Sequence, residues 1–142
     1  MLQKENRLAK VRDFNLLIKY GRWINGQFLD VKILDLAKIR NYFPKKEDPD
    51  KFVIQLKLAI TIGLKISKSS VKRNRVKRQV REALRLLLKD GRVKPGFYLL
   101  FVARPGILDR NYAEISQEIE LLLKRANILL AINNIQFPIS NI

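Results

Sequence analysis

The chain has 142 residues, with 29 Lys+Arg against 13 Asp+Glu and neither Cys nor His. That length makes one ordinary domain, and a hydrophobic share of 47% separates it from a disordered polycation in spite of a net charge of +16. Without Cys and His there is no thiol catalysis, disulfide or imidazole chemistry, so the first expectation is a polyanionic partner, either nucleic acid or an anionic membrane surface.

Residues 1–19 include Lys4, Glu5, Arg7, Lys10, Arg12 and Asp13, which leaves no uncharged signal-peptide core. The apolar runs at 97–103 and 128–132 are far shorter than the roughly 20 residues of a membrane span, so a cytoplasmic protein with no membrane partner is expected. An amphipathic helix opens the chain, with Asp13 as its expected N-cap, Phe14, Leu17 and Ile18 on one face and Gly21 as its stop. Residues 27–35 alternate as a half-buried strand, with Leu29, Val31 and Ile33 on one side and Asp30 and Lys32 on the other. Two prolines and a charge run mark residues 41–50 as an exposed loop. Residues 53–66 alternate without a break, which predicts one long strand or two strands meeting at a kink.

Ser69 and Ser70 are N-caps for a helix over 71–89, and a nearly continuous apolar run at 97–104 reads as a buried strand. This strand–helix–strand suggests a parallel pair joined through a basic helix. Asp109 or Asn111 caps a last helix running to about residue 130, with Ile115, Ile119, Leu122, Leu123 and Ala126 facing inward. The predicted fold is a single α+β domain in the order αββαβα, with an extra strand if residues 53–66 split.

Charge concentrates in one block. Residues 65–92 hold eleven basic and two acidic side chains. On a helical wheel Val76, Val80, Ala83, Leu84 and Leu87 form an apolar arc, and Asn74, Arg75, Lys77, Arg78, Arg81, Arg85 and Lys89 take the other side. Arg73 falls within the apolar arc and Leu88 among the cations. A solvated helix face mixes Glu with Lys at i, i+4, whereas this helix has one acid, Glu82, and like charges such as Lys77–Arg81 and Arg81–Arg85 repel until a partner neutralises them. Arginine's planar fork suits phosphate. Membrane binding needs the apolar arc free to enter lipid, often with aromatics on it; this arc is Val, Ala and Leu and lies between two strands that need covering. Nucleic acid is therefore favoured. DNA or RNA stays open at this level, although a helix inside a strand–helix–strand unit is not a helix-turn-helix. Single-stranded RNA is commonly bound on a sheet face with exposed aromatics, for which Phe14, Trp23, Phe28, Tyr42 and Phe52 are candidates, Trp23 foremost. Glu114, Glu118 and Glu120 read as a solvated helix face beside a helix N-terminus, not as a nuclease centre.

Ile62-Gly63-Leu64-Lys65-Ile66-Ser67-Lys68 followed by Arg73-Asn74-Arg75-Val76-Lys77-Arg78-Gln79-Val80-Arg81-Glu82-Ala83 resembles the protein subunit of bacterial ribonuclease P. Asn6-Arg7-Leu8, Asp13-Phe14 with Gly21, and residues 98–104 ending in Ala103-Arg104 add weaker matches, and together the segments cover about half of the chain. The resemblance implies one domain over 1–142 whose layers form an αββαβα sandwich, with an inserted loop near 41–51, an uncharged tail near 131–142 and a left-handed strand–helix–strand crossover shared with a ribosomal protein domain. It implies an endonuclease that removes the 5′ leader of precursor tRNA, with catalysis in the RNA subunit and Mg2+ held mainly by that RNA and the substrate. By position, Arg73, Asn74, Arg75, Lys77, Arg78, Arg81 and Arg85, with Lys68 and Arg7, would contact RNA, and Phe14 would line a cleft for the single-stranded leader, with no catalytic or metal-binding side chain. Ile18 stands where the family usually has an aromatic, the 68–73 connection is short, the 41–50 loop is long, and no residue after Arg125 is charged. The competing expectations are a structural, ribosome-like RNA-binding protein and a magnesium-dependent nuclease acting alone.

Overall fold

The computed structural model describes residues 2–42 and 48–130. Four strands form one sheet in the order β1-β2-β4-β3, with β1 at Arg22–Asn25, β2 at Leu29–Asp35, β3 at Leu56–Thr61 and β4 at Phe97–Ala103. β1 and β4 both run antiparallel to β2, whereas β3 and β4 are parallel. Helices α1 (Val11–Tyr20), α2 (Pro49–Phe52), α3 (Ser70–Lys89) and α4 (Tyr112–Arg125) complete the fold. The αββαβα order is thus present, with β1 and the single turn α2 added to it, and the parallel pair is joined through the basic helix as expected.

Alternation along the strands divides the core in two. Leu29, Val31, Ile33, Leu58, Leu99 and Phe101 point to one face, where α3 and α4 cover them with Val76, Val80, Leu84, Ile115, Ile119 and Leu122. Leu34, Tyr98 and Leu100 point to the other face and pack with Leu17 of α1, Leu8, Leu36, Ile39 and Phe52. Each fully buried Leu, Ile or Phe contributes about 1.5–3 kcal/mol of transfer free energy, so neither layer is dispensable. Tyr98 is buried with its hydroxyl donating to Gln55 Oε1 at 2.8 Å and its ring edge-on to Phe52, with centroids 6.1 Å apart.

Several expectations change. The long strand over 53–66 is six residues, Leu56–Thr61: past it the chain turns at Gly63, where the Ile66 N–H reaches the Gly63 carbonyl at 3.1 Å, and Ile54 and Leu64 lie exposed. Alternation alone cannot show where pairing ends. β2 is covered on both faces, because α1 lies over the side that carries Lys32, and that ammonium is spent on the Ile18 carbonyl at 2.7 Å. Asp13 does not cap α1. Lys10 holds the cap position, and Asp13 is a fully buried first-turn residue with Arg12 Nε at 3.3 Å and Lys57 Nζ at 3.8 Å. Gly21 does end α1, its N–H bonding the Leu17 carbonyl. The last helix closes at Arg125, short of residue 130. The loop expected near 41–51 falls partly outside the described residues, but within it α2 forms behind Asp48, whose carboxylate accepts the Asp50 N–H at 3.0 Å. The tail at 131–142 lies outside the described residues.

Candidate nucleic-acid interface

Helix α3 is specified at both ends. Ser69 accepts the Lys72 N–H at 3.3 Å as N-cap. At the other end Gly91 takes φ of +65°, a conformation that glycine adopts without strain, and the N–H groups of Gly91 and Arg92 return to the Leu88 and Leu87 carbonyls. Val76, Val80, Ala83, Leu84 and Leu87 are buried, so the apolar arc read from the sequence is the docked side.

The cations on the outward side fall into two flanks. Along one, Lys77, Arg81, Arg85 and Lys89 follow each other at four-residue steps, about 6 Å apart along the axis. This row borders the N-terminal segment. Lys77 and Arg81 meet Arg7, Leu2, Leu58, Ala59 and Ile60 around a shallow groove of about 290 Å³. Arg85 and Lys89 meet Leu2, Gln3, Glu5, Asn6 and Leu88 around a second groove of about 470 Å³. The N-terminal segment is held there by the outer edge of β3: Leu8 N–H donates to the Leu58 carbonyl at 2.9 Å and the Asn6 amide to the Leu56 carbonyl at 2.8 Å. Arg7 is steadied by its Nε bond to the Leu2 carbonyl at 3.1 Å.

On the opposite flank Arg75 donates to the Leu108 carbonyl at 3.0 Å, and Arg73 to the Ser67 carbonyl at 2.7 Å, which fixes the short connection ahead of the helix. Asn74, Arg78 and Lys68 are exposed and make no hydrogen bond or ion pair with the described residues. Arg85 differs in being paired with an acid: its fork meets Glu82 in two bonds of 2.8 and 2.7 Å. The Arg85 hydrogen bond holds the Glu82 carboxyl below the usual carboxylate range, and the same bond raises Arg85. Of the predicted RNA-binding residues, Arg7 is brought to Lys77 and Arg81 from across the chain, and Arg73, Asn74, Arg75, Arg78 and Arg85 share their helix.

The acids of α4 are engaged elsewhere. Glu118 is buried, against the expectation of a solvated face, whereas the Glu114 side chain stays 41% exposed. Glu118 Oε2 accepts the Phe28 N–H at 2.9 Å, and a Cβ at Gly26 would collide with the same carboxylate and with the Leu29 carbonyl. Glu114 closes a capping box with Asn111, a bond that lowers its pKa ahead of the contribution from Arg110. Glu120 pairs with Arg92 at 3.3 Å. No group of three or more His, Cys, Asp or Glu side chains that could hold a metal ion occurs among the described residues.

Phe14 lies apart from α3, half-buried on the α1 side of the sheet with Ala59 and Val102. Phe28 and Phe52 are core residues, whereas Trp23 is 48% exposed; the Tyr42 side chain lies outside the described residues. Two features had no sequence signal strong enough to find them. One is β1, which at four residues is too short for alternation to show; the other is the Asp13–Lys57 pair, whose members are far apart in the chain. No described helix is long and apolar enough to cross a membrane.

The family model described as Ribonuclease P matches residues 2–127. Ribonuclease P protein components from Synechococcus sp. (strain JA-2-3B'a(2-13)) and Cyanothece sp. (strain PCC 7425) are 41% and 33% identical to this chain, over 92% and 91% of it and 89% and 98% of their own lengths. Its fold is similar to that of the RNase P protein of Staphylococcus aureus (TM-score 0.68, 21% identity, covering 89% of this chain and 99% of that one). It is also similar to that of Thermotoga maritima (TM-score 0.62, 23% identity, 84% and 96%). With the Arg-Asn-Arg helix displayed as the sequence pattern requires, the chain belongs to the ribonuclease P protein component family.

Proposed function

We propose that this chain, as the protein component of a ribonucleoprotein endoribonuclease, holds RNA at two places: α3 on the catalytic RNA, and the open face beside α1 on the single-stranded 5′ leader of precursor tRNA. The observation that carries this reading is the cationic side of α3, docked through its apolar arc, with Glu82 as the single acid of the helix, and continued by Arg7. Such a surface neutralises phosphates and releases their counterions, which supplies affinity without base-specific contacts. Glu114, Glu118 and Glu120 are committed to a cap, to the buried turn at Gly26–Phe28 and to an ion pair, which supports a reading with hydrolysis on the RNA and magnesium held by the RNA and substrate.

The test is cleavage of precursor tRNA by purified ribonuclease P RNA at low magnesium, with and without this protein. Stimulation is expected. No stimulation would sink the proposal in favour of a purely structural RNA-binding protein, and cleavage by the protein without the RNA subunit would place the chemistry in the chain itself.

A further inference from the structure

Among the described residues, the α1 side of the sheet is only half covered. Strand register places its side chains in two cross-strand rows. One row runs Ala59–Leu100–Lys32–Trp23 and the next Thr61–Val102–Asp30–Asn25, in each case from β3 through β4 and β2 to β1. Alternation puts both rows on the face opposite α3 and α4. In the first row Leu100 and Lys32 are buried beneath α1, whereas in the second Thr61 and Asn25 are exposed and Val102 is half-buried. An open strip therefore crosses three strand spacings, about 14 Å. α1 walls it with Phe14 and, one turn later, Ile18, which is 54% exposed.

Trp23 stands at the β1 end of this strip. Lys32 Nζ sits 5.5 Å from the centre of its ring and is itself anchored by the 2.7 Å bond to the Ile18 carbonyl. The cation thus occupies one side of the indole and fixes it beside Ile18, and the ring keeps enough open surface to be nearly half exposed. Ile18 supplies apolar contact but no π-face. The strip does not repel phosphate: its one carboxylate, Asp30, is answered by Arg104 at 3.6 Å and by the Gly26 N–H at 3.0 Å, and Arg22 beside Trp23 is exposed.

We infer that Trp23 is a base-stacking subsite for single-stranded RNA, extending the strip from Phe14 to the β1 edge and supplying there the aromatic surface that Ile18 lacks. The inference rests on the leader reading proposed above. An exposed, cation-backed indole in a neutral-to-basic groove stacks any base, because every base has a π-face, and so it binds a strand without selecting its sequence.

Trp23 is the only tryptophan in the chain, so its fluorescence reports this one position. The full chain, assembled with ribonuclease P RNA, is titrated with precursor tRNAs of increasing leader length and with leaderless tRNA. Quenching is expected with long leaders and not with leaderless tRNA. Trp23→Ala should weaken binding of long-leader precursors about tenfold, leave leaderless tRNA unchanged, and be rescued by Trp23→Phe. Unchanged fluorescence in the unmodified protein overturns the inference, and so does quenching with no loss of affinity in Trp23→Ala. Phe14→Ala separates the two levels. If it weakens leader binding while Trp23→Ala does not, the leader cleft stands without Trp23; if neither variant matters, the cleft reading falls as well.

Discussion

Helices α3 and α4 pack side by side on the same face of one sheet, and both bury an aliphatic stripe there, yet their outer faces obey opposite rules. On α4 the acids have partners within the protein: Glu114 with Asn111 and Arg110, Glu118 with the Phe28 N–H, and Glu120 with Arg92, while Arg125 meets the Asn25 carbonyl at 2.8 Å. On α3, Glu82 is the one acid in twenty residues, and it engages only Arg85. Charge alone therefore does not mark the interface. What marks it is charge left without an acidic partner on a surface rigid enough to present it, where repulsion between neighbours is relieved only by an outside anion.

The comparison breaks if both helices answer alike to charge removal. Replacing Arg73, Arg75 and Arg78 with Ala should cost about 100-fold in affinity for the ribonuclease P RNA and flatten the slope of log affinity against log salt by about two. Lys124→Ala on α4 should change affinity by less than about twofold. Filter binding across a salt series measures both, and equal losses on the two helices would end the distinction.

The second effect is one of stability. Glu118→Ala leaves the Phe28 N–H buried without its acceptor, at a cost of about 1–3 kcal/mol, read as a lower urea midpoint with RNA affinity of the folded protein unchanged. Next, Asn111→Ala opens the capping box and should cost about 1 kcal/mol. Glu114 is held below the usual carboxylate range in the folded protein, so its stabilisation is complete above that range and is lost as pH falls through it. The gap between the wild type and Asn111→Ala should therefore narrow in acid, and a gap constant with pH would show that Glu114 plays no part in the cap. The smallest effect sharpens the comparison from the other side. Glu82→Gln frees Arg85, so RNA affinity should rise about threefold and the salt slope steepen by about 0.7–0.9. Unchanged binding would mean that Arg85 never reaches RNA.

The parts of the molecule legible in the sequence are those with a long, one-sided pattern. The apolar arc of α3, its Ser69 cap, the buried run of β4 and the inner stripe of α4 all lie where periodicity places them. The same pattern overshot at 53–66, because alternation continues through Ile62 and Leu64 after the pairing with β4 has stopped. Lys32 and Glu118 read as solvent-facing because both are charged, and both are buried because a backbone group waits for each: the Ile18 carbonyl for one, the Phe28 N–H for the other. Such partners are set by tertiary packing and leave no trace in local spacing. At the interface, the Arg-Asn-Arg pattern located α3, but only the pairing of residues 6–8 along β3 brings Arg7 to Lys77 and Arg81.

The position of β4 has a consequence for how the protein comes into being. It is the last of the described strands to leave the ribosome, yet it lies between β2 and β3, so no central pairing among them can form before residues 97–103 are made. Until then the nascent chain holds at most a β1–β2 hairpin and an unattached β3, and two-stranded pieces of this kind are marginal in water. Non-local closure of this sort is slow compared with local helix formation. The twenty-residue polycation is therefore synthesised before the surface that seats it. Its organised, RNA-ready form arises in the same event that completes the sheet, which keeps half-made chains from presenting a finished binding face.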